Sequence, residues 1–468
     1  MPKISVIGGG PGGYAAAFEA AARGAEVTLF ERRRLGGTCL NAGCIPTKTV
    51  LRSARALRDL ARGADFALIG APAAASVRVD SEALRQRKEG VVDELVGQLE
   101  ATAQRLKVAV VEGNARLTGP TTVKVETNVT GGSQIYESDA VIIATGSEPV
   151  VLPALSHPFV WTSDDALALT EIPREIIIVG GGVIGVEFAC AYAAFGSTVH
   201  IVELAPTILP GFDARAQRTL TAALRDQGVL LHLATSVDAA REETTRVTAT
   251  LSDGGELKAD VLMTAVGRAP NAAGFGFEEL GLAFDRRALK VDEYMRTNIE
   301  GVYGAGDVIG GVMLAHVAEA EGRAAARNAL AHLAGRAPAD TVNYRAIPAC
   351  VYTFPEVATV GLHSAAAKEA GHAPVSGLAK YTGNGKALAE GASEGYVELV
   401  AERSTGELLG CQIVGAHAVE LIAIAAEAIT AQMTVADFQR VIFAHPTVSE
   451  LLRVSAEALA AKLEAPAR

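Results

Sequence analysis

Two cysteines within the first fifty residues have the type and spacing that most clearly indicate chemistry. Cys39 and Cys44 lie in the segment GGTCLNAGCIPTK, residues 36–48, with four residues between them. Proline suits the first positions of a helix, so we predict a helix that begins near Pro46. Cys44 then lies just ahead of the helix N-terminus. The positive end of the helix dipole and Lys48 in the first turn favour a thiolate there.

The residues alone leave several interpretations of this pair open. The two could be ordinary cysteines near a turn. They could ligate a metal, although no histidine lies nearby to complete a site. Four intervening residues do not fit a thioredoxin-type pair, so a redox disulfide beside a bound dinucleotide is favoured, with no metal. The other cysteines lie singly in apolar surroundings and are predicted to fill the core: Cys190, Cys350 and Cys411.

One pattern occurs twice in the chain: a short strand, a Gly-x-Gly-x-x-Gly turn, a helix, and a second strand that ends in glutamate. The first copy contains Gly8, Gly10, Gly13 and Glu31, and the second contains Gly180, Gly182, Gly185 and Glu203. The first glycine permits the turn, the second lets the backbone approach a pyrophosphate, and the third lets helix and strand pack. The acid accepts hydrogen bonds from a ribose diol. Two such units predict two bound dinucleotides.

The acid of the second copy also indicates which nicotinamide cofactor is bound. A carboxylate at Glu203 would repel the 2′-phosphate of NADP, and residues 201–206 contain no arginine that could bind this phosphate. NAD is therefore favoured over NADP.

Length and charge limit the class of protein. The 468 residues suffice for about three domains, and 42 basic against 53 acidic residues give a net charge of −11, which argues against a nucleic-acid partner. The most apolar stretch, residues 175–186, is short and interrupted by glycines, so we expect no membrane span. Residues 3–10 predict a strand entering a turn rather than a signal peptide. We therefore expect a cytoplasmic protein.

The pattern changes after about residue 345. Residues 396–402 and 408–414 alternate like two strands joined by a turn. Helical patterns follow at residues 418–432, at residues 435–442 and from about residue 449. Antiparallel strands followed by helices predict a separate α+β domain.

These motifs, taken in order, resemble the class I pyridine nucleotide–disulfide oxidoreductases nearly from end to end. Besides the two glycine turns and the cysteine segment, the resemblance rests on four segments: ATG at 144–146, AVGRAPN at 265–271, YGAGD at 303–307 and HPTVSE at 445–450. This ordered set is highly specific for the family.

The resemblance implies an α/β fold with two Rossmann-like dinucleotide-binding domains, for FAD and NAD, plus a C-terminal α+β dimerisation domain. It implies a discontinuous FAD-binding domain at residues 1–150 and 275–345, an NAD-binding domain at residues 151–274 and a dimerisation domain at residues 346–468. It also implies a homodimer in which each active site takes its base from the other subunit.

Matching positions inherit roles from the resemblance. Cys44 would face the flavin as the charge-transfer thiol, and Cys39 would exchange disulfides with the substrate. Lys48 would lie near the flavin ring and Asp307 would bind the ribityl chain. Further FAD contacts are implied for Gly113, Thr145, Gly146 and Ala315. Glu187 would lie near the nicotinamide, and the NAD site would be lined by Val237 and Gly267.

Dithiol–disulfide exchange also needs a proton acceptor, and histidine suits this role. His445 stands in the family's HPTxSE motif and is the candidate base, with Glu450 orienting its imidazole. Thr447 and Glu450 also fit a helix capping box, so a purely local role for Glu450 remains an alternative. His316 lies in a segment that resembles one near the flavin, and we assign it a position without chemistry.

Within the family, the resemblance favours the branch that oxidises protein-bound dihydrolipoyl groups with NAD, with lipoyl domains or a lipoyl-carrier protein of a multienzyme complex as partners. Reduction of mercuric ion or of another disulfide is an alternative, and a non-enzymatic FAD-bound subunit is another. Three positions depart from the common pattern of the branch, namely Phe443, Thr47 and Lys386. Phe443 replaces a common histidine and bears on the shape of the substrate channel.

Overall fold

The structure is a computed structural model that describes residues 1–70, 77–127 and 132–464. The helices of this part are α1 (Pro11–Ala22), α2 (Gly37–Ala42), α3 (Cys44–Ala61), α4 (Ser81–Arg105), α5 (Ser163–Ala168), α6 (Val183–Ala194), α7 (Ala214–Asp226), α8 (Ala315–Leu333), α9 (Ser364–Glu369), α10 (Gly385–Ala389), α11 (Ala418–Thr430), α12 (Val435–Phe438) and α13 (Glu450–Glu464).

The strands of the described residues are β1 (Lys3–Ile7), β2 (Glu26–Glu31), β3 (Ala109–Leu117), β4 (Thr122–Thr127), β5 (Ser133–Glu137), β6 (Ala140–Ile143), β7 (Ser147–Pro149), β8 (Val160–Trp161), β9 (Glu175–Val179), β10 (Thr198–Glu203), β11 (Leu230–Leu233), β12 (Val237–Glu243), β13 (Arg246–Leu251), β14 (Glu256–Ala259), β15 (Val261–Thr264), β16 (Arg268–Pro270), β17 (Phe284–Asp285), β18 (Ala288–Leu289), β19 (Val302–Gly304), β20 (Ala349–Val351), β21 (Val357–Gly361), β22 (Pro374–Lys380), β23 (Tyr396–Glu402) and β24 (Leu408–Val414).

The first sheet has the order β19-β6-β1-β2-β3-β4-β5. Strands β19, β6, β1, β2 and β3 pair in parallel, and β4 and β5 extend the sheet as an antiparallel meander. Every side chain of β6 is buried, as expected for a parallel strand covered on both faces. Helices α1 and α8 pack closely because Gly322 is a glycine: a Cβ there would lie 2.1 Å from the carbonyl oxygen of Gly12.

The second sheet has the order β11-β10-β9-β15-β8 and is entirely parallel. A separate three-stranded antiparallel sheet, β12-β13-β14, is formed by the chain between β11 and β15 of this sheet. The two parallel sheets confirm the predicted α/β architecture with two Rossmann-like units. Cys190 on α6 is fully buried in the core of the second unit, as predicted.

The third large sheet is antiparallel, with the order β20-β21-β24-β23-β22. Strands β23 and β24 have the predicted bounds, and Cys411 on β24 is fully buried. The helix predicted at residues 435–442 is wrong in length, because α12 ends at Phe438. Phe438 is buried in the core, whereas Ile442 is 96% exposed. A helix continued to Ile442 would therefore bury no further apolar side chain against this chain.

No helix in the described ranges is long and apolar enough to cross a bilayer.

Candidate active site

A cavity of about 2090 Å³ is lined by both glycine turns, the cysteine segment and β20, an edge strand of the five-stranded antiparallel sheet. Most of the predicted site residues line it: Gly8, Gly10, Glu31, Cys39, Cys44, Lys48, Gly113, Thr145, Gly146, Gly180, Gly182, Glu187, Glu203, Val237, Gly267, Asp307, Ala315 and His316. Four predicted residues are not among its lining residues: Gly13, Gly185, His445 and Glu450.

Two glycines of the second turn are required by packing within the protein, and the remaining one leaves space for a ligand. A Cβ on Gly180 would lie 2.5 Å from the carbonyl oxygen of Ala265, and one on Gly185 would lie 1.9 Å from that of Gly180. These two glycines are required by packing. A Cβ on Gly182 would meet no protein atom within 4 Å, although Gly182 lines the cavity. Packing therefore does not explain this glycine, whereas a pyrophosphate lying against the turn does.

The first turn repeats this arrangement. A Cβ on Gly8 would lie 2.2 Å from the carbonyl oxygen of Ala144, and one on Gly13 would lie 1.7 Å from that of Gly8. Gly10 has more space, since its nearest neighbour would be 3.7 Å away. Both turns therefore fit the phosphates of a dinucleotide, and the third glycine of each copy serves the packing that the sequence predicts for it.

The two strand-end acids are held alike. Glu31 accepts hydrogen bonds from the N–H groups of Gly9, at 2.7 Å, and Arg33, at 2.9 Å. Glu203 accepts from those of Gly181, at 2.6 Å, and Ala205, at 2.7 Å. Each carboxylate is fixed against its own glycine turn, where an acid can accept from a ribose diol.

Cys39 and Cys44 come together because α2 and α3 are separated only by Gly43. Cys44 is the first residue of α3, two positions before the predicted start. The two cysteines are unbridged in this structure, and Cys39 donates a hydrogen bond to the sulfur of Cys44. This bond, with help from the Lys48 ammonium, lowers the pKa of Cys44 to about 7. The same bond and burial raise the pKa of Cys39, so Cys44 is the thiolate of the pair.

Lys48 and Glu187, which the resemblance assigns to different cofactors, form one ion pair. Their charged atoms are 2.9 Å apart, and Glu187 is only 3% exposed. The N–H of Tyr352 donates to Glu187 at 3.0 Å, and the Lys48 ammonium lies 4.4 Å from the centroid of the Tyr352 ring. The ion pair therefore joins the helix of the cysteine pair to the helix of the second glycine turn.

A polar network around Asp307 contains residues whose role the sequence did not indicate. Ser147 donates to the Asp307 carboxylate at 2.5 Å, and Arg268 donates both to the Ser147 hydroxyl, at 2.8 Å, and to its carbonyl oxygen, at 2.7 Å. Ser147 directly follows the ATG segment and Arg268 lies within AVGRAPN. Their places next to and within these two motifs could have identified Ser147 and Arg268 as site residues.

Two more residues in the cavity wall were missed or misjudged. The Asn41 amide donates to the carbonyl oxygens of Leu35, at 2.9 Å, and Gly37, at 3.0 Å, which holds the cysteine segment in place. Cys350 was predicted to fill the core, and this is only partly right: it packs against the core of the antiparallel-sheet unit but is partly exposed and lines the cavity. An apolar neighbourhood in sequence does not distinguish a core strand from the wall of a buried cleft. Burial raises the pKa of the Cys350 thiol to about 11, so it stays protonated near neutral pH.

His445 and Glu450 are together but lie apart from the cavity lining. The Nδ1 atom of His445 is 3.2 Å from each carboxylate oxygen of Glu450, and the His445 side chain is 81% exposed. Glu450 also accepts a hydrogen bond from the N–H of Thr447 at 3.1 Å. Glu450 therefore contacts both the imidazole and the Thr447 backbone. The capping-box interpretation is met only in part, because the Thr447 hydroxyl donates to the carbonyl oxygen of Ala444 and α13 begins at Glu450 itself. The Thr447 N–H and then the imidazole lower the pKa of Glu450, which keeps this carboxylate ionised.

Within the described ranges, no group of three or more metal-ligating side chains is placed to hold a metal ion.

Two family models match the chain. The first, described as "Pyridine nucleotide-disulphide oxidoreductase", matches residues 2–322. The second, described as its dimerisation domain, matches residues 347–456 and supports a homodimer.

Curated relatives and solved structures resemble the chain along nearly all its length. "Dihydrolipoyl dehydrogenase" of Bacillus subtilis (strain 168) is 39% identical over 454 residues, 96% of each chain. The protein of that name in Haloferax volcanii is 39% identical over 465 residues, 97% of this chain and 95% of that one. LpdA from Mycobacterium tuberculosis has a TM-score of 0.90 at 27% identity and covers 98% of this chain and 99% of its own. The HOCl-induced flavoprotein disulfide reductase RclA from Escherichia coli has a TM-score of 0.85 at 28% identity, covering 97% and 99%.

Proposed function

The chain belongs to the pyridine nucleotide-disulphide oxidoreductase family, and we propose that within it the protein oxidises protein-bound dihydrolipoyl groups to the lipoyl disulfide with NAD as the acceptor. Members of the family use FAD and NAD, and the two glycine turns fit one dinucleotide each. The observation that carries the proposal is the Cys39–Cys44 pair, which fits a redox-active disulfide and lines the cavity together with both turns. The names of the curated relatives support dihydrolipoyl groups as the substrate.

We propose the domain bounds implied by the family pattern. Residues 1–150 and 275–345 would bind FAD, residues 151–274 would bind NAD, and residues 346–468 would form the dimerisation domain. The last four of these, 465–468, lie outside the described residues. The partition agrees with the three large sheets: β1–β6 and β19 form the first, β8–β11 and β15 form the second, and β20–β24 form the third.

The dithiol half-reaction follows from the asymmetry of the two cysteines. In the oxidised pair, a substrate thiolate attacks the sulfur of Cys39, which breaks the Cys39–Cys44 bond and leaves the electron pair on Cys44. The helix N-terminus and Lys48 stabilise the resulting thiolate. The second substrate thiol then attacks the sulfur through which the substrate is bound to Cys39. The lipoyl disulfide leaves, and the cysteine pair is reduced by two electrons.

We propose that His445 of the partner subunit takes the proton from the substrate thiol. In support, the His445 of this chain is 81% exposed and does not line the cavity that contains the cysteines. Glu450 fixes the Nδ1 side of the imidazole, so that Nε2 faces outward to accept the proton. The adjacent Val441 and Ile442 are exposed and apolar, a surface that a second copy would cover.

Bound FAD would supply an acceptor for the electron pair of the dithiol, and bound NAD would supply the final acceptor of the hydride. The residues of this chain position the two cofactors. We propose that Lys48 lies at the flavin ring, that Asp307 holds the ribityl chain with Ser147 behind it, and that Glu187 faces the nicotinamide. The ion pair between Lys48 and Glu187 would then fix the distance between the two cofactor sites. The remaining proposed contacts are Gly113, Thr145, Gly146 and Ala315 for FAD, and Val237 and Gly267 for NAD.

A second candidate is the reduction of another disulfide by the same dithiol. The likeness to the disulfide reductase RclA covers 97% of this chain. Phe443 supports this candidate because it packs against Phe438, with ring centroids 5.9 Å apart, next to the proposed base. An apolar ring there favours a different substrate shape from the histidine common in the dihydrolipoyl branch.

NADH formation from NAD and dihydrolipoamide by the purified FAD-loaded protein tests the proposal. Turnover at rates typical of metabolic enzymes, of the order of 10 per second or more, would support it. Negligible turnover, with the cysteine pair still reducible by NADH, would reject dihydrolipoyl oxidation in favour of another disulfide. A cysteine pair that neither NADH nor a dithiol reduces would contradict both candidates and leave a structural FAD-bound subunit.

A further inference from the structure

Glu321 is a buried carboxylate that the proposed mechanism does not use. It lies in the middle of α8 and is 2% exposed. One of its oxygens accepts a hydrogen bond from the N–H of Gly306 at 2.8 Å, and the other accepts from the hydroxyl of Tyr344 at 2.8 Å. Each oxygen therefore has one donor, and the two donors come from different parts of the fold.

The first donor belongs to the turn at the proposed flavin site. Gly306 opens the 3-10 turn Gly306–Ile309 and has a φ of +76°, a backbone conformation that favours glycine. Asp307, the next residue, lines the cavity and accepts the Ser147 hydrogen bond. Through its bond to Gly306, Glu321 therefore fixes the backbone next to Asp307.

The second donor belongs to the start of the antiparallel-sheet unit. Tyr344 begins the 3-10 turn Tyr344–Ala346, which leads into β20, and the residue is 46% exposed. The next residue, Arg345, forms an ion pair with Glu407 at 2.7 Å, and Glu407 directly precedes β24. The Tyr344 hydroxyl therefore ties the entry of this sheet unit to the turn at the flavin site through one carboxylate.

Burial makes this carboxylate sensitive to the loss of either donor. Both donors are neutral, and burial raises the pKa of Glu321 while the two hydrogen bonds lower it. An oxygen that loses its donor while it stays buried bears the full desolvation penalty. Withdrawal of Tyr344 would therefore move the carboxylate and, with it, the Gly306 turn.

We propose that Glu321 is a positioning residue that couples FAD retention to the docking of the antiparallel-sheet unit, with the Tyr344 hydroxyl as the link. The inference rests on the proposed function only through the FAD site. Because coupling between two sites is reciprocal, bound FAD also holds the Tyr344–Ala346 turn against α8.

Tyr344→Phe tests the link without opening a cavity, because only the hydroxyl is removed. The release of FAD from the loaded full-length dimer is followed by the rise of free-flavin fluorescence. We expect release about tenfold faster than in the wild type, the size expected for losing a hydrogen bond to a charged group. The matched control is Tyr136→Phe on the edge strand β5. The Tyr136 hydroxyl donates to the side chain of Gln134 on the same strand. We expect this control to release FAD at the wild-type rate.

Two further measurements separate coupling from a merely structural role. In the wild type, removal of FAD is expected to speed backbone hydrogen exchange at residues 344–346. In Tyr344→Phe the exchange is expected to be fast with or without FAD. Glu321→Gln keeps one acceptor and one donor group and should rescue most of the loss seen in Glu321→Ala, with release within about threefold of the wild type.

Equal FAD release from Tyr344→Phe and the Tyr136→Phe control would overturn the inference, as would an exchange rate at residues 344–346 that does not respond to FAD. Failure of the proposed function would look different. The loaded wild type would then not oxidise dihydrolipoamide, whatever the rate at which it releases FAD.

Discussion

The two chemical ends of the proposed site are built differently. The cysteine pair lies in the cavity, at the start of a helix, with a hydrogen bond between the thiols and an ammonium nearby. The His445–Glu450 pair is oriented as tightly, with 3.2 Å contacts, but its imidazole is 81% exposed and does not line the cavity. We therefore propose that one chain completes the dithiol and the ammonium beside it, and that a second copy supplies the proton acceptor.

Removal of Cys44, the proposed charge-transfer thiol, should have the greatest consequence, because in the proposed mechanism every electron pair passes through it. In Cys44→Ser, NADH formation from dihydrolipoamide should fall by about 10⁴-fold or more. FAD content, measured by the visible flavin spectrum, should stay at the wild-type level. Cys190→Ala, a buried cysteine away from the cavity, is the control and should keep turnover within about twofold. Normal turnover in Cys44→Ser would show that the Cys39–Cys44 pair takes no part in the reaction.

Removal of the proposed base, His445, should affect only one half-reaction. In His445→Gln, turnover with dihydrolipoamide should fall by about 10³-fold, since a general base contributes about 10² to 10⁴. Reduction of the enzyme by NADH, followed in a rapid-mixing experiment, should keep its wild-type rate, because hydride transfer from NADH does not need this base. If both half-reactions slow equally, His445 supports the structure of the whole site and is not a base specific to the dithiol half-reaction.

Loss of the ammonium beside the thiols should shift a pH profile. The pKa of Cys44 is lowered to about 7, so the iodoacetamide reaction of the reduced protein should speed up as the pH rises through about 7. In Lys48→Met the pKa should rise, because the positive charge is gone and the Glu187 carboxylate stays nearby. Alkylation at pH 7 should then slow by about tenfold. The comparison variant is Lys258→Met, on β14, which is not among the cavity-lining residues and should leave the profile unchanged. An unchanged profile in Lys48→Met would show that the helix N-terminus and Cys39 alone set the pKa.

A smaller effect is expected for the acid behind the base. Glu450→Gln keeps an acceptor for the Thr447 N–H but no longer stabilises a charged imidazole. Turnover with dihydrolipoamide should fall by about tenfold, with the melting temperature unchanged. A fall in melting temperature with unchanged turnover would mean that Glu450 serves only as a helix cap.

The parts of the site that the sequence could predict are those fixed by local backbone geometry. The glycine turns, the acids at the strand ends and the start of α3 are recognised from residue types at short, fixed spacings, and each lies where the pattern indicated within two positions. Cys39 and Cys44 could be paired for the same reason.

Contacts between distant segments could not be predicted in this way. Lys48 and Glu187 are 139 positions apart, and Arg268 and Ser147 are 121 apart. Their pairing depends on how the two parallel-sheet units pack, which no local pattern contains. Cys350 and the end of α12 were misjudged because apolarity along a sequence does not tell a core from a cavity wall or an uncovered surface.

A mixed dimer shows whether each active site needs two copies of the chain. Cys44→Ser and His445→Gln are each expected to be nearly inactive as homodimers. When equal amounts are co-expressed, about half of the dimers should be mixed, and each mixed dimer should hold one complete site out of two. We expect about a quarter of the wild-type turnover to return. Activity no higher than the mean of the two parent proteins, in a preparation shown to contain mixed dimers, would contradict it.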